Sequence, residues 1–255
     1  MYAAERQQVI AARALHEGRV SVSVLADELA VTAETIRRDL EALDRRGVLH
    51  RVHGGAVPAQ AVRLVEAALG EREGTRVAEK ERIARAALAH VPAGGGSIIL
   101  DAGTTTGRLG ALLPSDADLS VVTNSVPTAS AVAIRSRSPV FLLGGRVRGL
   151  TQATVGADAE ERLRRTRVDV AFLGTNGITP RHGLSTPHPA EAAVKRAMVA
   201  AARRVVVLAD SSKVGQEHLV SFAGLEQVDV LITDAAVDAQ DRAQIEERGV
   251  EVVVA

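Results

Sequence analysis

Residues 25–56 read LADELAVTAETIRRDLEALDRRGVLHRVHGGA. Two amphipathic segments meet there at a short turn ending in Thr32, and an alternating apolar and basic run follows them. Ser21 and Ser23 offer cap oxygens for a helix over 24–29, with Leu25 and Leu29 on one face. Thr32 is placed to cap a second helix over 33–46, and Gly47 to end it from the C′ position. Ile36, Leu40 and Leu43 recur at i, i+4 and i+7 and form the stripe that must be buried. With that stripe inward, Glu34, Thr35, Arg37 and Arg38 fall on the outward N-terminal half. The run VLHRVHGGA then alternates up to a Gly54–Gly55 turn, as a short β-ribbon does. A charged helix over about 2–17, stopped by Gly18, precedes these elements. Together they predict a helix-turn-helix followed by a ribbon, whose second helix enters the major groove of double-stranded DNA.

Charge supports this only when counted locally. The 255 residues carry 31 basic and 31 acidic side chains, so the chain as a whole is neutral. Residues 1–36 hold three Arg against five acidic residues, a net of −2. Residues 37–53 hold five Arg against three acidic residues, a net of +2, with His50 and His53 beside them. Arginine reads guanine through two hydrogen bonds, worth about 1–3 kcal/mol of discrimination, or holds a phosphate. A solvated helix face with ion pairs such as Arg37–Glu41 would carry the same charges. It would not bring the turn and the ribbon with it.

Working outward, a hydrophobic fraction of 46% is ample for a packed core. The absence of Cys excludes a disulfide framework, thiolate metal sites and a cysteine nucleophile. Four aromatic residues are too few for a platform that stacks single-stranded bases. The opening MYAAERQQVI lacks the apolar run of a secretory signal, and no stretch is long enough to span a membrane. The expectation is a cytoplasmic protein without a membrane partner, metal or cofactor. Of the 31 basic residues 28 are Arg, and the three Lys are Lys80, Lys195 and Lys213.

Residues 1–57 are expected to form the DNA-binding domain and residues 58–74, with Pro58, Gly70 and Gly74, a linker. Over 75–255 the regime changes. The runs SIIL, LSVV, PVFLL, VDVAFL, VVVLA, DVLIT and VEVVV alternate with amphipathic helical segments, which predicts a mostly parallel α/β sheet covered on both faces. Several of these runs end in small or polar clusters, at the strand carboxyl ends where such sheets bind ligands. The clusters supply Asp101, Gly103, Thr104, Thr105 and Thr106, then Asn124 and Ser125, Gly144 and Gly145, Asn176, and Asp210 with Lys213. Thr104–Thr106 open a helix whose free N–H groups favour an anion. The carboxylates and amides suit sugar hydroxyls, and Lys213 a phosphate oxygen. Lys195 follows Glu191 at i+4, and the same spacing describes an ordinary helix-face pair. Lys80 reads as a solvated charge on a helix face. There is no G-x-x-x-x-G-K-[ST] loop and no H-E-x-x-H, and Gly94–Gly96 precede their strand where a dinucleotide fingerprint would follow it.

TAETIRRDL followed by GVLHRVHGGA resembles the N-terminal signature of the DeoR-type bacterial transcriptional repressors. That resemblance implies a winged helix-turn-helix, with DNA recognition by Thr32, Glu34, Thr35, Arg37 and Arg38 and with Arg51 and His53 on the wing. The order E-K-x-x-I-A, D-x-G-T-T, V-T-N-S, L-L-G-G, G-x-N-G and D-S-S-K over 79–234 is similar to the effector domain of the same repressors. It implies a fold resembling ribose-5-phosphate isomerase, a phosphorylated sugar as signal and a homodimer or homotetramer. It also implies a ligand site at the strand-end residues just named together with Glu191 and Lys195. MYAAERQ and TAETIRRDL further resemble fructose-operon repressors of GC-rich bacteria, which makes fructose 1-phosphate the first effector to consider. The expected function is therefore a non-enzymatic repressor of a sugar-utilisation operon. Two alternatives stay open: a sugar-phosphate isomerase or deaminase carrying a DNA-binding module, and a second domain that only oligomerises.

Overall fold

A computed structural model of the chain describes residues 3–17, 20–52, 54–58 and 69–255. They fall into two compact units, Met1–Val62 and Arg63–Ala255. In the first, α1 (Ala3–Glu17), β1 (Val20–Ser21), α2 (Val22–Glu28), α3 (Ala33–Arg45), β2 (Leu49–Val52) and β3 (Gly55–Pro58) follow in order. The strands pair antiparallel in the order β1–β3–β2. Ile36, Leu40 and Leu43 are buried and pack with Ile10, Ala14, Leu25, Leu49 and Ala56. That burial turns the rest of α3 outward, as the stripe requires.

The helix ends show which capping signals were real. Thr32 caps α3, its Oγ1 accepting from the Thr35 N–H at 3.2 Å. At the other end Gly47, at φ +65°, donates to Asp44 O, and Val48 N donates to Leu43 O, both at 2.9 Å. These two bonds are the Schellman closure that a left-handed glycine permits. Ser21 and Ser23 behave differently from expectation. α2 begins at Val22, Ser21 precedes it without a side-chain cap, and the two serine hydroxyls bond each other at 3.0 Å. Gly55 is needed for contact: a Cβ there would lie 1.9 Å from the Val20 carbonyl oxygen, so the ribbon closes onto β1 only with glycine. Asp39, within the IRRDL run, is buried and accepts from Arg6 Nε at 2.5 Å and Gln7 Nε2 at 3.0 Å, tying α3 to α1.

The second unit opens with α4 (Leu69–Gly74), inside the segment read as a linker, whose residues 59–68 lie outside the described ones. Next come α5 (Val77–Ala87), β4 (Gly96–Leu100), α6 (Thr104–Leu112), β5 (Leu119–Thr123), α7 (Val126–Arg135) and β6 (Val140–Leu142). β7 (Arg146–Arg148), β8 (Ala153–Val155), α8 (Ala157–Arg164), β9 (Val168–Leu173), β10 (Gly177–Thr179) and β11 (Gly183–Thr186) follow. The chain finishes with α9 (Pro189–Ala201), β12 (Ala202–Leu208), β13 (Val220–Ala223), β14 (Val230–Thr233), α10 (Ala239–Glu246) and β15 (Glu251–Val254).

All seven apolar runs are strands of one parallel sheet, ordered β15–β14–β12–β9–β4–β5–β6. Alternate residues serve opposite faces. Ile98, Leu100, Val121, Phe172, Val206 and Ile232 pack with α5, α6 and α7 through Ile83, Leu109 and Val132. Ile99, Val122, Ala171, Leu173, Val207 and Leu231 pack with α8, α9 and α10 through Leu163, Met198 and Ile245. Two small antiparallel sheets, β7–β8 and β10–β11–β13, complete the unit. The sheet grows from β4 in both directions: first through β5 and β6, then on the other flank through β9, β12, β14 and β15. Such a reversal opens a crevice outside the strand carboxyl ends, the place where open α/β sheets hold ligands.

The buried Asp39 contact gives a direct test of the first unit. Asp39→Ala leaves Arg6 buried without its partner and should cost about 3–5 kcal/mol of stability in denaturant unfolding. Arg38→Ala, at a side chain 78% exposed, should stay within about 0.5 kcal/mol.

Candidate functional site

The outward half of α3 presents Glu34, Arg37 and Arg38 to solvent. Arg37 Nη1 lies 3.3 Å from Glu34, Arg38 Nε lies 3.6 Å from the same carboxylate, and Glu41 pairs with Arg45 at 3.1 Å. Exposed pairs of this kind are worth at most about 1 kcal/mol, so either arginine turns to a phosphate or a base edge at little cost. Thr32 and Thr35 share a hydroxyl hydrogen bond at 2.9 Å beside them. Arg51 is a wing position whose backbone pairs with Ala56, but its side chain, like His53 altogether, lies outside the described residues.

In the second unit the crevice lies between β4 and β9, and a buried ion pair occupies it. Asp101, directly after β4, is paired with Lys195 of α9, and its Oδ2 also accepts from Gly174 N at 3.0 Å. Lys195 Nζ donates to Gly174 O at 2.8 Å and sits 5.4 Å from the centre of the Phe222 ring. Burial pushes the Asp101 carboxyl up, against the opposing pull of Lys195 and the Gly174 N–H. Glu191, one turn before Lys195, is held instead by Arg148 and by Thr151 Oγ1 at 2.5 Å. Burial works to raise its pKa, but Lys195, Thr151 and Arg148 outweigh it and hold the carboxyl below the ordinary glutamate value. The two carboxylates are thus committed to cations.

Beside this network is a cavity of about 240 Å³, to which Gly103, Thr104 and Arg108 contribute from the start of α6 and Ser125 from the residue before α7. Thr151 lines it too, and Leu69 and Glu73 of α4 close it. The N–H groups of Thr104–Thr106 open α6 without a side-chain cap, and Arg108 supplies a fixed positive charge. Those of α7 are taken: Val126 N donates to Gln152 O, Pro127 has none, and Thr128 N donates to Ser125 Oγ. Thr105 is buried nearby, while the Thr106 hydroxyl turns inward and donates to Asp101 O at 2.7 Å. Asn124 is a brace: its Oδ1 accepts from Ala102 N at 2.8 Å and its Nδ2 reaches Thr154 O at 3.5 Å. Asp210 accepts from Ser212 N and faces Arg76 Nε at 3.6 Å. Gly144 and Gly145 follow β6, and Gly144 lines a different groove, alongside Phe141, Leu142 and Arg165. Asn176 is half-buried, with its backbone bonded to Ser185 O and His218 Nε2.

Lys80 corrects the sequence reading, which had placed it on a solvated face. It is 5% exposed, shares a stripe with Ile83, Ala84 and Ala87, and donates to Arg72 O at 2.5 Å. Burial lowers its pKa from 10.5 to about 8; Asp210 opposes that shift, while Lys213, Arg108 and Arg72 add to it. The i, i+3, i+4, i+7 spacing with its apolar neighbours was the available signal. Arg76, Arg108 and Arg148 carried none in a chain of 28 Arg. Among the described residues no His, Cys, Asp and Glu group could hold a metal ion, and no helix is long and apolar enough to cross a membrane.

An exposed recognition helix joined to an α/β unit with an anion-suited crevice defines a DNA-binding regulator with a sensor domain. Residues 6–61 match the DeoR-like helix-turn-helix domain and residues 75–235 the DeoR C terminal sensor domain. The HTH-type transcriptional regulator GlpR of Haloferax volcanii is 41% identical over 99% of this chain and 98% of its own. A Bacillus subtilis regulator named FruR is 37% identical over 92% of each chain. The glycerol-3-phosphate regulon repressor of Escherichia coli is 31% identical over 86% of each. The chain belongs to the DeoR family of transcriptional regulators. Among solved structures, ribose 5-phosphate isomerase A of Methanocaldococcus jannaschii matches 53% of each chain at 19% identity with a TM-score of 0.38, too low to carry an argument. Its relatives being named as regulators and repressors, the chain stands with DNA-binding proteins and not with enzymes.

Because the folded protein holds the Lys80 proton less tightly than the unfolded chain does, ionisation of this residue opposes folding below pH about 8. The penalty fades as pH rises from about 8 towards 10.5. Carbon-13 methylation of the lysines should give one NMR signal titrating near 8 that disappears in Lys80→Met. A signal lost in Lys80→Met that instead titrates near 10.5 would refute the buried placement.

Proposed function

We propose that the protein represses a sugar-utilisation operon, and that a phosphorylated sugar bound at the strand carboxyl ends of the sensor unit sets its grip on operator DNA. The observation that carries this reading is the convergence of the uncapped α6 amino end and Arg108 on one cavity beside the Asp101–Lys195 pair. Backbone N–H groups at a helix start and a guanidinium suit a phosphate, and carboxylates and amides suit sugar hydroxyls. We take Thr104, Thr105 and Ser125 as its phosphate end, Thr104 and Ser125 lining the cavity itself. We take Asp101, Asn124, Asn176, Glu191, Lys195, Asp210 and Lys213 as the remainder of the effector site.

Fructose 1-phosphate is the first effector to test. The resemblance of MYAAERQ and TAETIRRDL to fructose-operon repressors supports it, as does the printed name of the Bacillus subtilis relative. Glycerol 3-phosphate, in the name of the Escherichia coli relative, is the competitor. We take residues 1–57 as the DNA-binding domain, with Thr32, Glu34, Thr35, Arg37, Arg38, Arg51 and His53 at the DNA. Residues 75–255 sense the ligand and hold a homodimer or homotetramer together. Support for self-association comes from the outer edge of the sheet, where Phe141 and Leu142 of β6 and Ile134 of α7 are exposed apolar residues. Two copies would place two recognition helices on repeated or inverted half-sites.

A band-shift assay on the promoter of the protein's own operon tests the reading. Arg37→Ala and Arg38→Ala should each weaken binding by about 1–3 kcal/mol if they read bases, or flatten the salt slope by about one if they hold phosphates. Fructose 1-phosphate should change operator affinity about 5- to 150-fold, and Lys213→Ala should remove that response while DNA binding persists. DNA binding that ignores every sugar phosphate tried would sink the effector half and leave the DNA half standing.

A further inference from the structure

The helix α4 is six residues long and buries none of its side chains. A helix of that length does not hold itself together in water, and here no apolar face fastens it. Other elements hold it. At its start Leu69 N donates to Leu150 O at 3.0 Å, in the turn between β7 and β8. At its end Glu71 O accepts from Thr75 Oγ1 at 2.9 Å, Arg72 O from Lys80 Nζ at 2.5 Å and Glu73 O from Arg108 Nη2 at 3.2 Å. Cations at a helix carboxyl end are favoured by its dipole, so Lys80 and Arg108 act as two clamps.

Arg108 has a second claim on its charge. It lines the cavity at the start of α6 and keeps its other terminal nitrogen on Thr104 O at 3.3 Å. Leu69 and Glu73 form part of the same cavity wall. The carboxyl end of α4, at Glu73, therefore borders the space where an anion would sit. A guanidinium binds a phosphate through charge-assisted, often paired hydrogen bonds in which both partners are ionised, whereas its bond to a carbonyl is single and has a neutral acceptor.

We infer that α4 is a strap which an anionic effector unfastens. A phosphate group entering the cavity draws Arg108 away from Glu73 O and repels the carboxyl end of α4. The helix, which buries none of its side chains, then comes loose from the cavity wall. The strap rests on the proposed effector site and converts occupancy of that site into release of α4. Glu191 joins the same assembly, since the hairpin that bonds Leu69 also supplies Arg148 and Thr151 to its carboxylate.

Hydrogen–deuterium exchange on the full chain tests this, with inorganic phosphate, fructose 1-phosphate and glycerol 3-phosphate as probes. A bound probe should slow exchange over 103–107 and speed it over 69–75 by about tenfold or more, within the coupling range of linked sites. Arg108→Gln, and separately Leu69→Pro, which removes the bond to Leu150 and suits a first helical position, should show the faster exchange over 69–75 with no probe present. Slower exchange over 103–107 with 69–75 unchanged or slowed overturns the strap and leaves the effector site intact. Variants that leave 69–75 exchanging as in the native chain overturn it as well. No slowing over 103–107 with any probe overturns the effector site and the strap with it.

Discussion

The sensor unit depends on one buried ion pair at the place where its sheet changes direction. Asp101 ends β4, Gly174 ends β9, and Lys195 reaches both from α9. Two charges taken out of water cost several kcal/mol each, and they are tolerated only when the geometry and the remaining hydrogen bonds are good. Here the Gly174 N–H and carbonyl complete the set, so the two strands flanking the reversal are pinned by the Asp101 side chain, the Gly174 backbone and Lys195 from α9. An apolar trio could hold the strands as well. What it could not do is leave a fixed field at the mouth of the crevice, with the Glu191 carboxylate, Arg148 and Arg108 ranged around it.

The parallel sheet was legible because strands buried on both faces are written as unbroken apolar runs, and SIIL, VDVAFL and VVVLA are such runs. The recognition helix was legible for a different reason: Ile36, Leu40 and Leu43 fix its inward face, and Arg37 and Arg38 follow from geometry. The antiparallel pairs β7–β8 and β10–β11–β13 were not legible. Their strands are three or four residues long, RVR and GLST among them, and their pairing is decided by distant partners such as Val220–Ala223.

The candidate site divides along the same line. Thr104, Ser125 and Lys195 announced themselves by position after strands or by rarity in a chain that otherwise chooses arginine. Arg108 and Arg148 were hidden by that same bias, since one functional arginine looks like 27 others. Lys80 has the look of a surface charge, and only its stripe with Ile83, Ala84 and Ala87 marks it as buried. Asp39, a carboxylate between an arginine and a leucine, carries no local mark of its burial. Asn124 shows the converse. A rare residue at a strand end proved to be bonded to backbone on both sides.

The closure of the ribbon onto β1 through Gly55 bears on how the DNA-binding unit reads its target. β3 is shared between the wing strand β2 and the strand just before α2, and α3 packs its apolar stripe against Leu49 and Ala56 of the same sheet. Wing and recognition helix therefore form a template of fixed spacing. Where an operator departs from straight B-form geometry between the two contacts, the duplex must supply the deformation. Base steps that the protein never touches then weigh in its choice of site through their stiffness alone.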